Sequence, residues 1–345
     1  MDFSVFNHIL LPYIIAMFLA INMGGSGTGP AFSVAYGAGL IRQNLIPGLF
    51  GIMVFLGAIV AGKNTSMTLG NDILPKEMMN FSLVSIILLS VSLSLLFANI
   101  TGIPQSTSQS TILAITAPAL YLNKLNTDKL LYDILPTWFI LPLISFFVCF
   151  LIGKYIYNPI RKRGYLMNPK THSHPILTVL VVGMSLYVAF SIGANNVANA
   201  AGPIASMTMN ELDINNTEAN FKIIMILSTL IVAPNFGIGS SVFGRKIMQN
   251  TGKEIILFGK IEAIIIAFVT ASLLLIASVT KGVPTSLVQL NVGAILGIGV
   301  AKLGAKNIFR KTEVNKFFIV WLIAPIISFS ISILLTWMAD INGWL

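Results

Sequence analysis

Apolar residues run along this chain in long blocks, and short polar or Gly/Pro-containing stretches separate one block from the next. A block of about 18 or more apolar residues is long enough to cross the hydrocarbon layer of a bilayer as a helix. The pattern predicts such segments near residues 8–24, 45–62, 82–100, 103–122, 131–153, 176–201, 221–239, 255–280, 283–301 and 317–338. The sequence therefore predicts an all-α polytopic membrane protein whose environment is the lipid bilayer.

The composition agrees with this class. Of 345 residues, 55% are hydrophobic and only 10% are charged, and the mean hydropathy is +0.85, whereas a soluble domain carries about 25% charged residues. The single cysteine, Cys149, lies in an apolar block, which excludes a disulfide within one chain. The three histidines lie near the N-terminus or in the central polar loop. We expect neither a metal site nor a cofactor.

The net charge of +9 would suit a nucleic acid, but its distribution indicates membrane topology instead. If the first segment starts outside, six of the 21 basic residues face outside, and the remaining 15 face the cytoplasm. The outer six are Lys63, Lys76, Lys124, Lys129, Lys222 and Lys281. Because cytoplasmic loops carry an excess of Lys and Arg, both termini are predicted outside and the central basic loop inside. No nucleic-acid partner is expected.

The two halves of the chain repeat each other. Three stretches recur in the same order: 22–30 with 195–203, 102–106 with 282–286, and 138–146 with 321–329. Residues 1–165 are predicted to form the first repeat and residues 166–345 the second. Each half has five apolar segments, so the second half enters the membrane from the opposite side. Inverted repeats with interrupted helices are typical of secondary transporters, which bind substrate near the bilayer midplane. The first and fourth segments of each half are candidates for broken helices or re-entrant hairpins.

The first matched pair of polar stretches is "AINMGGSGTGP" (20–30) with "GANNVANAAGP" (193–203). The candidate binding residues are Asn22, Ser26, Asn195, Asn196 and Asn199. An unpaired carboxamide at bilayer depth costs several kcal/mol, so these groups hold either a ligand or one another. A packing face of small residues, with the Asn side chains bonded across it, remains the alternative.

The second pair is "GIPQSTSQST" (102–111) with "GVPTSLVQLN" (282–291). A proline followed by hydroxyl residues predicts a helix start, and a helix N-terminus suits an anion. Ordinary capping at an interfacial loop is the alternative. The candidate residues are Ser106, Thr107, Ser108, Gln109, Thr285, Ser286 and Gln289. The four stretches contain neither basic nor acidic residues, so their neutral donors indicate a small multivalent oxyanion.

At these residues the chain resembles the inorganic phosphate transporter family, whose repeated signature is G-A-N-D-V-A-N-A-x-G followed by G-x-P-x-S-T-T-H. The signature Asp is replaced by Asn196 and Met23, and the His by Gln109 and Gln289. These departures resemble the sulfate permease branch. The resemblance implies a homodimeric, proton-coupled sulfate importer of a bacterial cytoplasmic membrane.

The chemistry of the two anions points to the same branch. Near neutral pH phosphate keeps a P–OH that a carboxylate can accept, whereas a carboxylate only repels sulfate. Asn196 replaces that repulsion with a donor, and the loss of the Asp also removes the obvious sodium ligands. Sulfate with protons is therefore predicted, and thiosulfate, selenate, chromate and molybdate are further tetrahedral candidates. A proton- or sodium-coupled phosphate symporter remains the alternative among transporters. An anion channel is the alternative from a different functional class. No cluster of residues indicates an enzyme.

Coupling to protons requires a group that takes up a proton. Glu262, in "GKIEAIIIAF" (259–268), lies about one turn into the eighth segment and is the candidate, because an intramembrane carboxylate is a functional hypothesis by default. The alternative is an ion pair with Lys260 or Lys316 at the cytoplasmic edge.

Overall fold

The protein is built from helices that lie side by side. The computed structural model describes residues 3–101, 105–162, 174–251, 259–310 and 312–345, and within these ranges it contains no β-strand. Seven of the described helices are long and apolar enough to cross a membrane. The predicted all-α polytopic class is confirmed.

The helices of the first half correspond to the five predicted segments, with short additions. They are α1 (Phe3–Gly37), α2 (Ile46–Ala61), α3 (Lys63–Met67), α4 (Phe81–Thr101), α5 (Thr107–Tyr121), α6 (Leu135–Ile152) and α7 (Asn158–Lys162). Turns of π-helix occupy Thr68–Asp72, Lys129–Ile134 and Gly153–Tyr157, and turns of 3₁₀-helix occupy Gln43–Leu45 and Lys76–Met78.

The second half follows the same order. Its helices are α8 (Pro175–Asn196), α9 (Ala198–Glu211), α10 (Glu218–Val232), α11 (Pro234–Thr251), α12 (Lys260–Ile276), α13 (Leu287–Leu303), α14 (Ala305–Phe309) and α15 (Thr312–Ile341). A π-helical turn, Ala277–Lys281, extends α12. Helix α1 corresponds to α8 with α9, α4–α5 to α12–α13, and α6 to α15. The predicted boundary between residues 165 and 166 lies outside the described residues.

Contacts between helix ends define two ends of the molecule. His8 of α1 stacks on Phe81 at the start of α4, and the Phe81 N–H donates to Glu211 at the end of α9. Tyr121 at the end of α5 donates to Asp340 near the end of α15. We call this side the terminal end, because α1 begins there and α15 ends there.

At the opposite side, which we call the connector end, Lys246 of α11 donates to the Ile100 carbonyl near the end of α4. Lys302 of α13 pairs there with Glu262 of α12. Helices α4 and α5 therefore form a hairpin that starts and finishes at the terminal end, whereas α12 and α13 form a hairpin from the connector end. This opposite orientation is the inverted repeat that the five-segment pattern predicted.

The breaks inside the two hairpins meet within the molecule. The Ser108 hydroxyl at the start of α5 lies 3.1 Å from the Thr285 carbonyl oxygen just before α13. The fourth segments are thus legs of hairpins, as the sequence allowed. For the first segments the hairpin interpretation is wrong. Helix α1 runs unbroken through the glycine-rich stretch 20–30, and only Val197 separates α8 from α9.

Close helix packing explains why the glycine-rich stretches stay helical. A Cβ atom on Gly239 of α11 would lie 1.9 Å from the Ile21 carbonyl oxygen of α1. A Cβ atom on Gly193 of α8 would lie 2.0 Å from the Val54 carbonyl oxygen of α2. Backbone therefore touches backbone at both crossings, and only glycine fits there. This packing offsets the low helix propensity of glycine.

Candidate functional site

A small cavity of about 20 Å³ lies where the two hairpin breaks meet α1 and α8. We call it the central cavity. It brings together seven of the predicted binding residues, which are Ser26, Ser106, Thr107, Ser108, Asn196, Thr285 and Ser286. The other lining residues are Gln105 and a set of apolar residues and glycine, and none of the lining residues carries a charge. The cavity therefore offers neutral hydrogen-bonding groups alone.

Two helix N-termini face the central cavity. Ser106 caps α5 by accepting a hydrogen bond from the Gln109 N–H at 3.4 Å, and Ser286 caps α13 in the same way from Gln289 at 3.3 Å. The predicted helix starts are confirmed at these serines, two residues after Pro284 in the second half; Pro104 lies outside the described residues. The remaining first-turn N–H groups have no partner within their helices. Together with the helix dipoles, they favour an anion between the two tips.

Asn196 is the carboxamide that reaches the central cavity. Its side chain is 9% exposed, and its Oδ1 is buried without a hydrogen-bond partner. Rotation of the amide exchanges oxygen for NH₂, so Asn196 can present two donors to an anion. Asn199 lies one turn further along, outside the cavity lining. Its Nδ2 donates to the Asn196 carbonyl at 3.0 Å, and its Oδ1 is also without a partner.

Asn195 holds the second hairpin in place instead of facing the cavity. Its Oδ1 accepts from the Thr285 N–H at 3.1 Å and lies 3.2 Å from the Ser108 hydroxyl. Its Nδ2 donates to Ser278 Oγ at 2.8 Å and to the Val283 carbonyl at 3.3 Å. This one side chain ties α8 to both hairpin breaks, and its donors and its acceptor are all engaged.

Asn22 makes the corresponding connection in the first half. Its Nδ2 donates to the Phe18 carbonyl at 2.9 Å. The Asn99 side chain, near the end of α4, donates to the Asn22 Oδ1 at 3.2 Å and to its carbonyl at 2.9 Å. Asn22 and Asn195 therefore fit the helix-packing alternative, and they position the cavity walls.

A sequence model of the phosphate transporter family matches residues 23–180 and, a second time, residues 161–332. The chain belongs to the phosphate transporter family. It is a multi-pass membrane transporter, and the double match reflects its two repeats.

Relatives within the family differ in what their names say they carry. The chain is 33% identical to "Sulfate permease CysP" of Bacillus subtilis, over 94% of this chain and 86% of that protein. It is 25% identical to "Putative phosphate permease PH0640" of Pyrococcus horikoshii, over 91% of this chain and 93% of that one. A solved structure entitled "The sodium-dependent phosphate transporter" has the same fold, with a TM-score of 0.82 and 21% identity over 97% of this chain and 99% of that one.

The two glutamines that replace the signature histidine of the phosphate transporter family occupy different surroundings from Asn196. Gln289 lines a larger, mostly apolar cavity of about 540 Å³ with Phe139, Phe146 and Trp321, and neither amide atom of Gln289 has a partner. Gln109 is buried, with its carbonyl oxygen unpaired, and it is not among the residues lining either cavity. Ser106, Ser286 and Val288 line both cavities, whereas Gln289 lines only the larger one.

The sequence analysis missed three polar residues that shape the central cavity. Gln105 lines it, and its Nε2 bonds Ser94 Oγ at 2.8 Å and Ser110 Oγ at 2.7 Å. Asn99 and Ser278 hold Asn22 and Asn195. The internal repeat contained the signal for Gln105, because this residue aligns with Thr285. For Asn99 and Ser278 the signal was a polar residue shortly before each Gly-x-Pro break.

Glu262 lies away from the central cavity, at the connector end. It is 3% exposed, and its Oε1 accepts hydrogen bonds from Lys302 Nζ at 2.7 Å and from the Tyr157 hydroxyl. At about 1.5 Å per residue, it stands roughly 25–30 Å along α12 from the break at Gly282. The ion pair joins the two legs of the second hairpin at their open end. An ion pair was the alternative considered from sequence, with Lys260 or Lys316 as the partner; the structure shows such a pair with Lys302, and the side chain of Lys316 lies outside the described residues.

We expect Asn195→Ala to destabilise the protein more than it weakens the anion contacts. The substitution leaves the Thr285 N–H and the Val283 carbonyl without this partner, and each unsatisfied buried group costs about 1–3 kcal/mol. Asn22→Ala should show a smaller loss, because it releases fewer long-range bonds. Thermal unfolding followed by tryptophan fluorescence measures the difference. An Asn195→Ala protein with wild-type Tm and weakened sulfate binding would contradict the clamp role.

Proposed function

We propose that this transporter imports sulfate by proton symport across a bacterial cytoplasmic membrane. One observation carries the proposal: the central cavity is lined by hydroxyls and carboxamides between two helix N-termini, and none of its lining residues is charged. Such a site stabilises a dianion by donated hydrogen bonds and partial charges, and it allows release again because no full cation holds the ion. The similarity to the sulfate permease of Bacillus subtilis supports this choice.

Selectivity for sulfate over phosphate follows from the absence of an acceptor carboxylate. Sulfate has no proton to donate near neutral pH, so every wall group must be able to donate to it. The Asn196 amide and the Ser106 hydroxyl meet this requirement. The Ser26 and Ser108 hydroxyls donate to the Met23 and Thr285 carbonyls and meet it once they turn from those carbonyls toward the anion. A carboxylate in place of Asn196 would accept a hydrogen bond from the P–OH of phosphate. Because this chain has Asn there, that bond is absent and phosphate is expected to bind more weakly. Phosphate symport is the second candidate, and the phosphate permeases among the relatives favour it. Thiosulfate, selenate, chromate and molybdate share the tetrahedral shape of sulfate and are proposed as competitors.

The two hairpins suggest how access alternates. The cavity of about 20 Å³ has room for little more than a water molecule, so one wall must withdraw before an anion enters. Each hairpin contributes one wall and comes from a different end of the molecule. Withdrawal of one tip at a time would open the site to one side only, as alternating access requires.

The distribution of basic residues supports an orientation. The outer set predicted from sequence, which includes Lys63 and Lys129, lies near the terminal end, where Lys63 pairs with Glu218 and Lys129 with Asp72. Lys154, Lys246 and Lys302 lie toward the connector end. We therefore propose that the terminal end faces outside and that the connector end faces the cytoplasm.

We also propose that the protein is a homodimer, as the family resemblance implies. Light scattering of the detergent-solubilised protein measures its mass, which is compared with 37.3 kDa for one chain.

Uptake of labelled sulfate into proteoliposomes tests the function. An inward proton gradient should drive accumulation without sodium, and unlabelled phosphate at neutral pH should compete at least about 10-fold more weakly than sulfate, a difference of about 1.4 kcal/mol. Proteoliposomes without an imposed proton or sodium gradient are the control. Equal competition by phosphate would favour the phosphate symporter, a strict sodium requirement would exclude proton symport, and currents far above transporter turnover would indicate a channel.

A further inference from the structure

A second polar cavity lies at the connector end, apart from the central one. It measures about 250 Å³ and is formed where the start of α2 meets α11. Its polar lining consists of Gln43, Asn44, Ser240, Ser241 and Arg245. We call it the connector cavity. It is more than ten times larger than the central cavity, so a tetrahedral oxyanion fits without movement of the walls.

Ser240 supplies the observation that points to a ligand. The residue is 3% exposed, it lines the connector cavity, and its hydroxyl has no hydrogen-bond partner. A serine inside a helix can bond the carbonyl four residues earlier, as the neighbouring Ser241 does with Gly237 at 3.2 Å. The Ser240 hydroxyl makes no such bond, and an unsatisfied buried group costs about 1–3 kcal/mol. Rotation of this shielded hydroxyl about its Cα–Cβ bond toward the cavity would allow a ligand there to satisfy it.

The charges around the connector cavity indicate whether the ligand is an anion or a cation. Arg245 is the charged group of the lining, and the N-terminus of the 16-residue helix α2, with Pro47 in its first turn, adds partial positive charge. Arg42 lies just before this helix start. No acidic residue occurs in 38–61 or in 234–251, the segments that form the cavity. Hydroxyl and amide donors beside a guanidinium fit an oxyanion, since Arg presents a planar fork to its oxygens.

We propose that the connector cavity binds a tetrahedral oxyanion through the Ser240 hydroxyl, the Arg245 guanidinium and the amides of Gln43 and Asn44. Two sources offer this chemistry: free sulfate or phosphate in the water at this end, and the phosphate of a lipid headgroup. Ile238 and Val242 of α11 are exposed apolar residues near the same cavity, where an acyl chain would lie. The proposal stands on these contacts alone and does not depend on which anion the central cavity transports.

Ser240→Ala and Arg245→Gln test the site, and Lys306→Gln is the matched control, because it removes one exposed charge near the same end without touching the cavity. In delipidated detergent solution, sodium sulfate and sodium phosphate are titrated against the thermal unfolding of each protein. Because these salts also stabilise proteins by exclusion from their surface, the readout is the difference from wild type at equal concentration. For the sulfate titration the central cavity is silenced by adding Asn196→Asp to every protein compared. Because the new carboxylate can accept the P–OH of phosphate, phosphate is compared only as the difference between Arg245→Gln and Lys306→Gln in that same background.

For a free anion we expect Arg245→Gln to weaken the saturable rise in Tm at least about 10-fold in apparent Kd, with Lys306→Gln unchanged. Without added anion, Ser240→Ala should be at least as stable as wild type, because it removes an unsatisfied hydroxyl. For a lipid, native mass spectrometry of protein from vesicles of phosphatidylglycerol and phosphatidylcholine should show one retained phospholipid that Arg245→Gln loses. If both variants match wild type in salt titration and in lipid retention, the proposal is wrong.

Discussion

Asn196→Asp should abolish sulfate binding while leaving the fold intact. The side chain keeps its size, but a carboxylate then faces the central cavity in place of an amide that can donate. Two like charges a few ångströms apart repel by several kcal/mol even at an effective dielectric constant of about 20. We therefore expect sulfate affinity to fall at least about 100-fold, which corresponds to about 2.8 kcal/mol. Isothermal titration with sodium sulfate in detergent measures the loss.

A matched control is Asn342→Asp, the same exchange at an exposed position near the C-terminus. It should bind sulfate like the wild type. Phosphate affords the second comparison, because its P–OH can donate to the new carboxylate, and the ratio of phosphate to sulfate affinity should rise in Asn196→Asp. A folded Asn196→Asp protein that takes up sulfate at the wild-type rate would show that residues 190–203 pack helices and bind no anion.

The long helices were predictable from the sequence, because each coincides with a long apolar block, but their continuity was not. The stretch 20–30 contains four glycines and Pro30, which by propensity end or kink a helix. Its continuity in α1 depends on α11, whose own glycine, Gly239, lets the two backbones touch. That partner is more than 200 residues away in the chain, and the sequence of residues 20–30 by itself does not predict the contact. The hairpins were easier to predict, since Gly-x-Pro followed by Ser marks a break wherever it occurs.

For the candidate site, the sequence selected the right stretches but could not assign roles within them. Asn195 and Asn196 are adjacent, so their side chains point about 100° apart around the helix. One turns toward Ser278 and Thr285 and is fully bonded, and the other reaches the central cavity. Which of the two side chains faces the ligand depends on where the hairpin tips lie, and the tertiary structure alone determines that position. The repeat pairs Asn22 with Asn195, and the two share the bonding role.

Glu262→Gln should unfold the protein more readily, and this loss must be separated from any loss of coupling. The wild-type carboxylate is buried against Lys302 and Tyr157. An uncharged Gln leaves the Lys302 ammonium, whose side chain is 12% exposed, without its counter-charge. Breaking a fully buried pair from one side costs about 3–5 kcal/mol, and this partly buried pair should lose less. A decrease in Tm and in expression is therefore expected even if Glu262 never carries a transported proton. Thermal unfolding of the purified variant measures it.

The double variant Glu262→Gln/Lys302→Met decides between the two roles. Removing both charges eliminates the uncompensated ion, and replacing a buried pair by neutral groups is often close to neutral for stability, so most of the lost Tm should return. If Glu262 takes up the coupling proton, the double variant, with its stability restored, will still exchange labelled sulfate for unlabelled sulfate. It will not accumulate sulfate under an inward proton gradient. Exchange and accumulation are measured in the same proteoliposomes, so their ratio cancels differences in reconstitution. Accumulation at the wild-type ratio would assign Glu262 a purely structural role, closing the open end of the second hairpin, and the coupling proton would then have to be carried elsewhere.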